Sequence, residues 1–260
     1  MKLFGKGVNS EGERVNEEKL QLFLSHRGIC SRRKALEAIK QGKVTVNGNI
    51  VLEPSVFVDP EKDLVHFEKR KISLGGYQYL LLNKPSGFTT TKADRHAEKT
   101  VMDLLPPDLQ HLHPVGRLDK DTQGLLILTN DGDLTYQLTH PKFDVDKVYA
   151  VKAQGRLSAD GKQRLEKGVV LDGKKTAPAE ISRIAILANS TEFLLKIHEG
   201  RKRQIRRMLA ICGHQVISLT RIQQGTLKLG QLKSGHYRIL TQEEVNGLKR
   251  IRSHVSSLKS

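Results

Sequence analysis

One segment near the middle of the chain reads His113-Pro114-Val115-Gly116-Arg117-Leu118-Asp119-Lys120-Asp121-Thr122-Gln123-Gly124-Leu125-Leu126-Ile127-Leu128-Thr129-Asn130-Asp131-Gly132. Its four consecutive apolar residues, 125–128, predict a strand that is buried on both faces. If the backbone before it is extended, Arg117 and Asp119 point to one side and Leu118 to the other, because side chains alternate along a strand. Residues 130–132 favour a turn that ends the strand. A cation and a carboxylate therefore share one surface beside a packed strand.

Three other segments carry motifs that can be read together with the central segment. Asn83-Lys84-Pro85 follows an apolar strand, Lys147 and Tyr149 lie two residues apart on a β-type segment, and Gln204-Ile205-Arg206-Arg207 opens a basic helix. Together with Gly116-Arg117-Leu118-Asp119, they resemble the motifs of RNA pseudouridine synthases, and most closely the RsuA-type branch that acts on ribosomal RNA. The resemblance runs over roughly residues 17–243.

The resemblance implies a role for each matching residue. Asp119 is the catalytic carboxylate, which either attacks C1′ of the uridine or assists deprotonation of the sugar. Arg206 pairs with Asp119, and Tyr149 stacks on the uracil or relays a proton. Arg117 enters the space left by the flipped uridine. The other residues expected to bind substrate are Leu118, Lys84, Arg203 and Ile205.

The N-terminal part of the chain carries the pattern of two short helices. Apolar residues recur at helical spacing: Leu20, Phe23 and Leu24 in the first, and Ala35, Leu36 and Ile39 in the second. Ser31 is a suitable N-cap for the second helix, residues 32–41. Gly28 and Gly42 are suitable ends for the two helices.

A hairpin and a group of cations follow. Asn47-Gly48 lies between two β-type segments, 44–46 and 50–52, and predicts a two-residue turn. Four cations crowd the second helix and the loop after it: Arg32, Arg33, Lys34 and Lys43. Such cations often only solvate a helix face, but here the surrounding sequence resembles the alpha-L RNA-binding domain, a module shared with a small-subunit ribosomal protein. We therefore expect these four residues to bind RNA.

The resulting expectation is an α+β protein of two domains. Residues 1–16 are a flexible N-terminus, 17–67 the small α/β-hairpin RNA-binding domain, and 68–76 a charged, Gly-rich linker. Residues 77–243 form the catalytic domain, and 244–260 a basic C-terminal tail. For the catalytic domain the resemblance implies a bent, largely antiparallel β-sheet flanked by helices.

The net charge points to a polyanionic partner. In 260 residues, 44 Lys and Arg stand against 28 Asp and Glu, giving +16, with a pI near 9.9 and a mean hydropathy of -0.43. Nucleic acid, here ribosomal RNA, is the first candidate partner. A membrane surface is second, but no basic amphipathic helix supports it. No apolar run approaches the ~20 residues that span a bilayer. We expect a cytoplasmic monomer.

Neither a metal nor a cofactor is expected. Cys30 and Cys212 have no CxxC neighbours, and His111 and His113 have no third ligand at a recognisable spacing. The Gly-rich motifs of common nucleotide cofactors are missing from the sequence. Pseudouridine formation is an isomerisation, so the implied reaction needs no cofactor.

Two alternatives are kept. A non-catalytic RNA-binding or ribosome-associated protein could use the basic N-terminal module alone, although intact Asp119, Tyr149 and Arg206 argue against it. A glycoside hydrolase needs a second carboxylate across the sugar, for which Asp121 and Asp131 are available. For the favoured function, we prefer large-subunit ribosomal RNA as the substrate.

Overall fold

The computed structural model describes residues 17–72, 76–92 and 98–251. The chain divides into two compact units, residues 1–78 and 79–260. The predicted flexible N-terminus, 1–16, and the last nine residues, 252–260, lie outside the described residues. Among the described helices, none is long and apolar enough to cross a lipid bilayer.

Within its described residues, the small unit contains two helices and six short strands. In chain order these are β1 (Glu18–Lys19), α1 (Leu20–His26), α2 (Arg32–Lys40), β2 (Val44–Val46), β3 (Asn49–Ile50), β4 (Phe57–Val58), β5 (Val65–Phe67) and β6 (Arg70–Lys71). Strand β1 pairs with β4, and the other four strands form a sheet in the order β3-β2-β5-β6.

The second helix begins where the sequence predicts. The side chain of Ser31 accepts a hydrogen bond from the backbone N–H of Lys34 at 3.3 Å. The buried face differs from the prediction in one residue, because Leu36 is 37% exposed whereas Ala38 is buried. Ala38 lies three residues after Ala35 on the buried side of the helix, and Leu36 lies beyond that side.

The predicted hairpin is present. Val46 pairs with Asn49 across the turn, and Asn47 and Gly48 both have positive φ, 51° and 85°, as a two-residue turn of the primed type requires. All four predicted RNA-binding cations are exposed: Arg32, Arg33, Lys34 and Lys43. Lys43 also forms an ion pair with Glu68 at 3.4 Å.

The predicted linker begins too early. Within 68–76, residues Arg70–Lys71 form β6, and Ile72 is only 8% exposed in the core of the small unit. The run of charged residues 68–71 shows no apolar strand pattern. Strand β6 nevertheless forms there, because β5 pairs with it through the backbone.

The large unit contains eleven strands and four α-helices within its described residues. They are β7 (Tyr79–Lys84), β8 (His113–Pro114), β9 (Gln123–Thr129), α3 (Gly132–Thr139), β10 (Lys147–Gln154), α4 (Ala159–Lys167), β11 (Val170–Leu171), β12 (Lys174–Lys175), β13 (Glu180–Ile186), β14 (Ser190–Ile197), α5 (Gln204–Ile211), β15 (Val216–Gln224), β16 (Leu227–Lys228), β17 (Tyr237–Ile239) and α6 (Gln242–Lys249).

A nine-stranded sheet forms the centre of this unit. Its main order is β13-β14-β10-β15-β9-β7-β17, with β16 on β15 and β8 on β9. The pairs are antiparallel except β9 with β15, which run parallel. The predicted α+β fold with a largely antiparallel sheet is confirmed.

Strand β9 is buried on both faces, as its four apolar residues predict. Leu126 and Leu128 pack into the core that includes α5, while Leu125 and Ile127 pack into the core that includes α3 and α6. At its start, Gly124 has φ +106°, and a Cβ there would lie 2.3 Å from the backbone oxygen of Arg221. Only glycine allows β9 to approach β15 so closely.

The segment 130–132 begins a helix as well as ending the strand. The Asp131 carboxylate accepts hydrogen bonds from the backbone N–H of Leu134 at 2.9 Å and from the Tyr79 hydroxyl at 2.7 Å. Asp131 is therefore a buried N-cap of α3.

The C-terminal boundary is also corrected. Helix α6 begins at Gln242 with a capping box between Thr241 and Glu244, and its Val245 and Leu248 are buried in the core beside α3. The part of the predicted tail from 244 to 249 is thus a packed helix, because its two apolar residues lie three apart on the same face.

Candidate active site

A cavity of about 660 Å³ lies in the large unit, where the segment before β9, strand β10 and the start of α5 come together. Seven of the eight predicted catalytic and substrate-binding residues line it: Arg117, Leu118, Asp119, Tyr149, Arg203, Ile205 and Arg206. The sequence motifs therefore converge on one site, although they are separated by up to about ninety residues. The exception is Lys84.

The backbone around Asp119 is fixed from the protein side. Leu118 is 5% exposed and packs in the core, while Arg117 is exposed and Asp119 is half-buried. The Thr90 hydroxyl donates to the Leu118 carbonyl at 2.8 Å and accepts from the Leu118 N–H at 3.2 Å. This matches the predicted alternation, with Arg117 and Asp119 both lining the cavity.

Lys84 does not line the cavity, so its predicted role in substrate binding is corrected. The residue is fully buried, and its Nζ donates to four backbone carbonyls: Thr122 at 2.7 Å, Pro85 and Asp119 at 3.1 Å, and Lys120 at 3.3 Å. Burial lowers the pKa of Lys84 to about 8, against the opposing effect of Asp121 and Asp119. Lys84 therefore holds the loop that carries Asp119.

The predicted ion pair between Asp119 and Arg206 is wrong in this structure. Arg206 instead contacts Asp121: its Nη2 donates to the backbone oxygen at 2.8 Å, and its Nε lies 3.1 Å from Oδ2. Arg203 donates to both carboxylate oxygens of Asp121 at 2.9 Å. Among the described residues, no cationic nitrogen lies within 4 Å of the Asp119 carboxylate.

The two arginines determine the ionisation of Asp121. Burial acts to raise the pKa of its carboxyl, but the hydrogen bonds from Arg203 and the charge of Arg206 hold the pKa below its usual value. One feature of the sequence indicates that Asp121 could pair with these arginines, because it lies two residues after Asp119. The pairing depends on how the 119–122 loop meets α5, and the sequence does not contain that information.

Tyr149 forms part of the cavity wall from β10. It is 8% exposed, and its neighbours across the sheet are Leu195 on β14 and Arg221 on β15. Tyr149 lines the cavity from this position in the sheet. Arg221 was missed by the sequence analysis, although an arginine within an apolar strand is a usable signal.

A second residue missed from sequence, Glu199, organises the start of α5. Its carboxylate accepts hydrogen bonds from Gln204 Nε2 at 2.5 Å, from the Ala177 N–H at 3.0 Å and from Arg201 Nε at 3.2 Å. Arg203, the residue before α5, adopts a left-handed conformation with φ 50°. These contacts set the direction in which Arg203 and Arg206 point.

The carboxylates that a glycoside hydrolase would need are occupied. Asp131 caps α3 and accepts from Tyr79, whereas Asp121 is held by Arg203 and Arg206. Neither stands opposite Asp119 as a free acid or base, which argues against that alternative.

The histidines do not assemble with other ligands in the part of the chain that is described. No group of three or more His, Cys, Asp or Glu side chains there could hold a metal ion. Burial, followed by the charges of Lys92 and His111, lowers the pKa of His113 to about 4. At neutral pH His113 is therefore uncharged.

Comparison with known proteins identifies the family of this chain. Residues 78–211 match the model of the family "RNA pseudouridylate synthase", and residues 18–65 match the S4 domain. The ribosomal large subunit pseudouridine synthase B of Bacillus subtilis (strain 168) is 41% identical over 91% of this chain and 98% of its own length. The ribosomal small subunit pseudouridine synthase A of Vibrio cholerae serotype O1 is 36% identical over 87% of this chain and 97% of its own length.

A solved structure agrees with this similarity. The crystal structure of a pseudouridylate synthase superposes with a TM-score of 0.63 at 33% identity, covering 88% of this chain and 99% of the other.

Proposed function

The chain belongs to the RNA pseudouridylate synthase family, and from that membership we propose that it isomerises one uridine of ribosomal RNA to pseudouridine. The observation that carries the proposal is the Asp119 carboxylate, which lines the 660 Å³ cavity and has no cationic nitrogen of the described residues within 4 Å. A carboxylate in this position is available to react with a substrate rather than to stabilise the fold.

The reaction needs no external atom or electron. The N1–C1′ bond of uridine breaks, the uracil turns, and a C5–C1′ bond forms while the proton on C5 is lost and N1 gains one. Asp119 either attacks C1′, as a nucleophilic carboxylate does in covalent catalysis, or assists deprotonation of the sugar. The uridine has to leave its helix first, as in other enzymes that act on a base.

The other cavity residues have supporting roles in this proposal. Arg117, which is exposed, fills the space that the flipped uridine leaves, since a planar guanidinium can stack and hydrogen-bond there. Tyr149 stacks on the uracil or relays a proton. Leu118 and Ile205 contact the nucleoside. Arg203 and Arg206, which Asp121 holds, form the cationic wall near the sugar and phosphate.

We further propose that the substrate is large-subunit ribosomal RNA and that the protein acts as a cytoplasmic monomer without a metal. The relative from Bacillus subtilis, at 41% identity, is named for the large subunit, whereas the relative from Vibrio cholerae, at 36%, is named for the small subunit.

The proposal is tested with ribosomal RNA from cells that lack the gene. Purified protein is incubated in EDTA with large-subunit or small-subunit RNA, with the RNA fold maintained by monovalent salt, and pseudouridines are mapped. We expect one new pseudouridine, in the large-subunit RNA. RNA binding without a new pseudouridine in either RNA would support the non-catalytic alternative.

A further prediction concerns the exposed cations of α2. Replacing Arg32, Arg33 and Lys34 with Ala is expected to weaken RNA binding and to reduce the slope of log Kd against log salt by about 2–3, at roughly 0.7–0.9 per phosphate contact. The change should affect different RNA sequences about equally, because phosphate contacts position RNA without reading its bases.

The control for this triple variant has the same loss of charge elsewhere in the small unit. Lys69, Arg70 and Lys71 are three consecutive exposed cations, so their replacement by Ala measures the effect of net charge alone. Equal slopes for the two triple variants would contradict a specific role for α2.

A further inference from the structure

A second, smaller cavity of about 160 Å³ lies beside the first in the large unit. The two share four lining residues, Gly116, Arg117, Tyr149 and Gly200. The smaller cavity extends over β10 and β15, where polar side chains replace the apolar ones that line most of this sheet.

Arg221 contributes a buried cation to this cavity. The residue is 2% exposed, and its Nε donates to the Leu125 carbonyl at 2.8 Å. Its Nη2 is enclosed and has no hydrogen-bond partner. No carboxylate of the described residues lies within 4 Å of the guanidinium. A buried guanidinium N–H without an acceptor is unfavourable, so Nη2 requires one.

Gln224 contributes a buried acceptor to the same cavity. It is 1% exposed, its Nε2 donates to the Leu138 carbonyl at 3.4 Å, and its Oε1 has no partner. The residues that carry this unsatisfied donor and this unsatisfied acceptor therefore both line one small cavity, and an apolar occupant could satisfy neither atom.

Lys147 adds a second donor. Its Nζ donates to the carbonyls of Val145 and His198, both at 3.1 Å, and one N–H remains. Burial, and then the charge of Arg221, lowers the pKa of Lys147 to about 8, while Glu199 is among the carboxylates that oppose this shift. Glu199 also lines the cavity, but it is engaged by Gln204, Ala177 and Arg201.

We propose that this cavity reads the imide edge of the flipped uracil, with Gln224 Oε1 accepting from N3–H and with Arg221 and Lys147 donating to the two carbonyl oxygens. The inference rests on the proposed function. Uracil presents acceptor, donor and acceptor along this edge, which complements a donor, an acceptor and a donor in the protein. Cytosine has an amino donor in place of O4 and a bare N3 acceptor in place of N3–H. Its donor would therefore meet a donor of Arg221, and its acceptor would meet the acceptor of Gln224.

Access to the cavity follows from the role proposed for Arg117. Arg117 lines both cavities, so its movement out to fill the gap in the RNA enlarges the space beside both. The uracil edge then reaches Arg221 and Gln224 while the sugar remains beside Asp119. The competing occupant is ordered water, which can also bridge an unsatisfied donor and acceptor.

The test uses two nucleotides that differ in one group. Binding of uridine 5′-monophosphate to the full chain is compared by NMR titration with binding of N3-methyluridine 5′-monophosphate, in which a methyl group replaces the N3 proton. We expect the wild-type protein to bind uridine 5′-monophosphate at least about tenfold more tightly. In Gln224→Met this preference should disappear. In Gln223→Met it should remain, because the Gln223 side chain donates to the Gly225 carbonyl and does not line the cavity.

The outcomes separate this inference from the proposed function. Equal binding of the two nucleotides by the wild-type protein, no measurable binding of either, or equal effects of the two Gln→Met substitutions would overturn the uracil assignment and leave water as the occupant. Retained discrimination by a protein that forms no pseudouridine would support the uracil assignment and overturn the catalytic proposal. Melting curves of both variants confirm that each is folded.

Discussion

Replacing Asp119 with Asn is expected to abolish pseudouridine formation, by on the order of 10⁴-fold or more, while the variant folds and binds RNA about as well as the parent. The carboxylate lines the cavity and has no cationic nitrogen within 4 Å among the described residues. Removing its charge therefore breaks no ion pair, and the free energy of unfolding should change by only about 0.5 kcal/mol. RNA affinity comes mainly from cations that contact phosphate, which this substitution leaves unchanged.

Asp121→Asn is the matched control, because it makes the same substitution two residues away. Asp121 does hold two arginines, Arg203 and Arg206, so its loss should lower the melting temperature and leave partial activity. Melting temperature, RNA affinity and pseudouridine yield are measured on both variants. A well-folded Asp119→Asn protein with substantial yield would refute the catalytic role of Asp119.

Replacing Lys84 with Met is expected to lower the free energy of unfolding by about 3 kcal/mol, because four backbone carbonyls lose a donor. For a unit of this size that corresponds to roughly 6–12 °C in melting temperature. Pseudouridine yield should fall as well, since Asp119 and Lys120 belong to the loop that Lys84 holds. The salt dependence of RNA binding should remain unchanged, because Lys84 is fully buried.

The control is Lys120→Met, which removes an exposed cation that lines the cavity. It should weaken RNA binding slightly and leave the melting temperature unchanged. A Lys84→Met protein with native stability and a reduced salt slope would contradict the structural role and restore the predicted role in substrate binding.

The effect of pH on Lys84 provides an independent check. Burial lowers its pKa to about 8, whereas the usual value is 10.5. The unfolded chain therefore binds this proton more tightly than the folded chain. The stability of the parent, relative to Lys84→Met, should rise as the pH increases from 8 to 10.5.

Short-range patterns were sufficient to predict many local elements. The cap at Ser31, the turn at Asn47-Gly48 and the doubly buried strand β9 follow from residues within about ten positions of one another. They could be predicted because backbone conformation and side-chain alternation are local properties. Asp119, Tyr149 and Arg206, which the family motifs single out, line one cavity.

By itself, the sequence thus determined the fold class, the main elements and the residues that gather at the site. Only the tertiary structure decided that Arg206 pairs with Asp121, that Lys84 lies beneath the loop instead of facing the cavity, and that α6 packs on the core. The reason is physical: a charged side chain several ångströms long can reach different partners, and its choice depends on how loops and helices distant in sequence pack together. The parallel contact of β9 with β15, which Gly124 permits, is one such long-range arrangement, and it places Arg221 behind Tyr149.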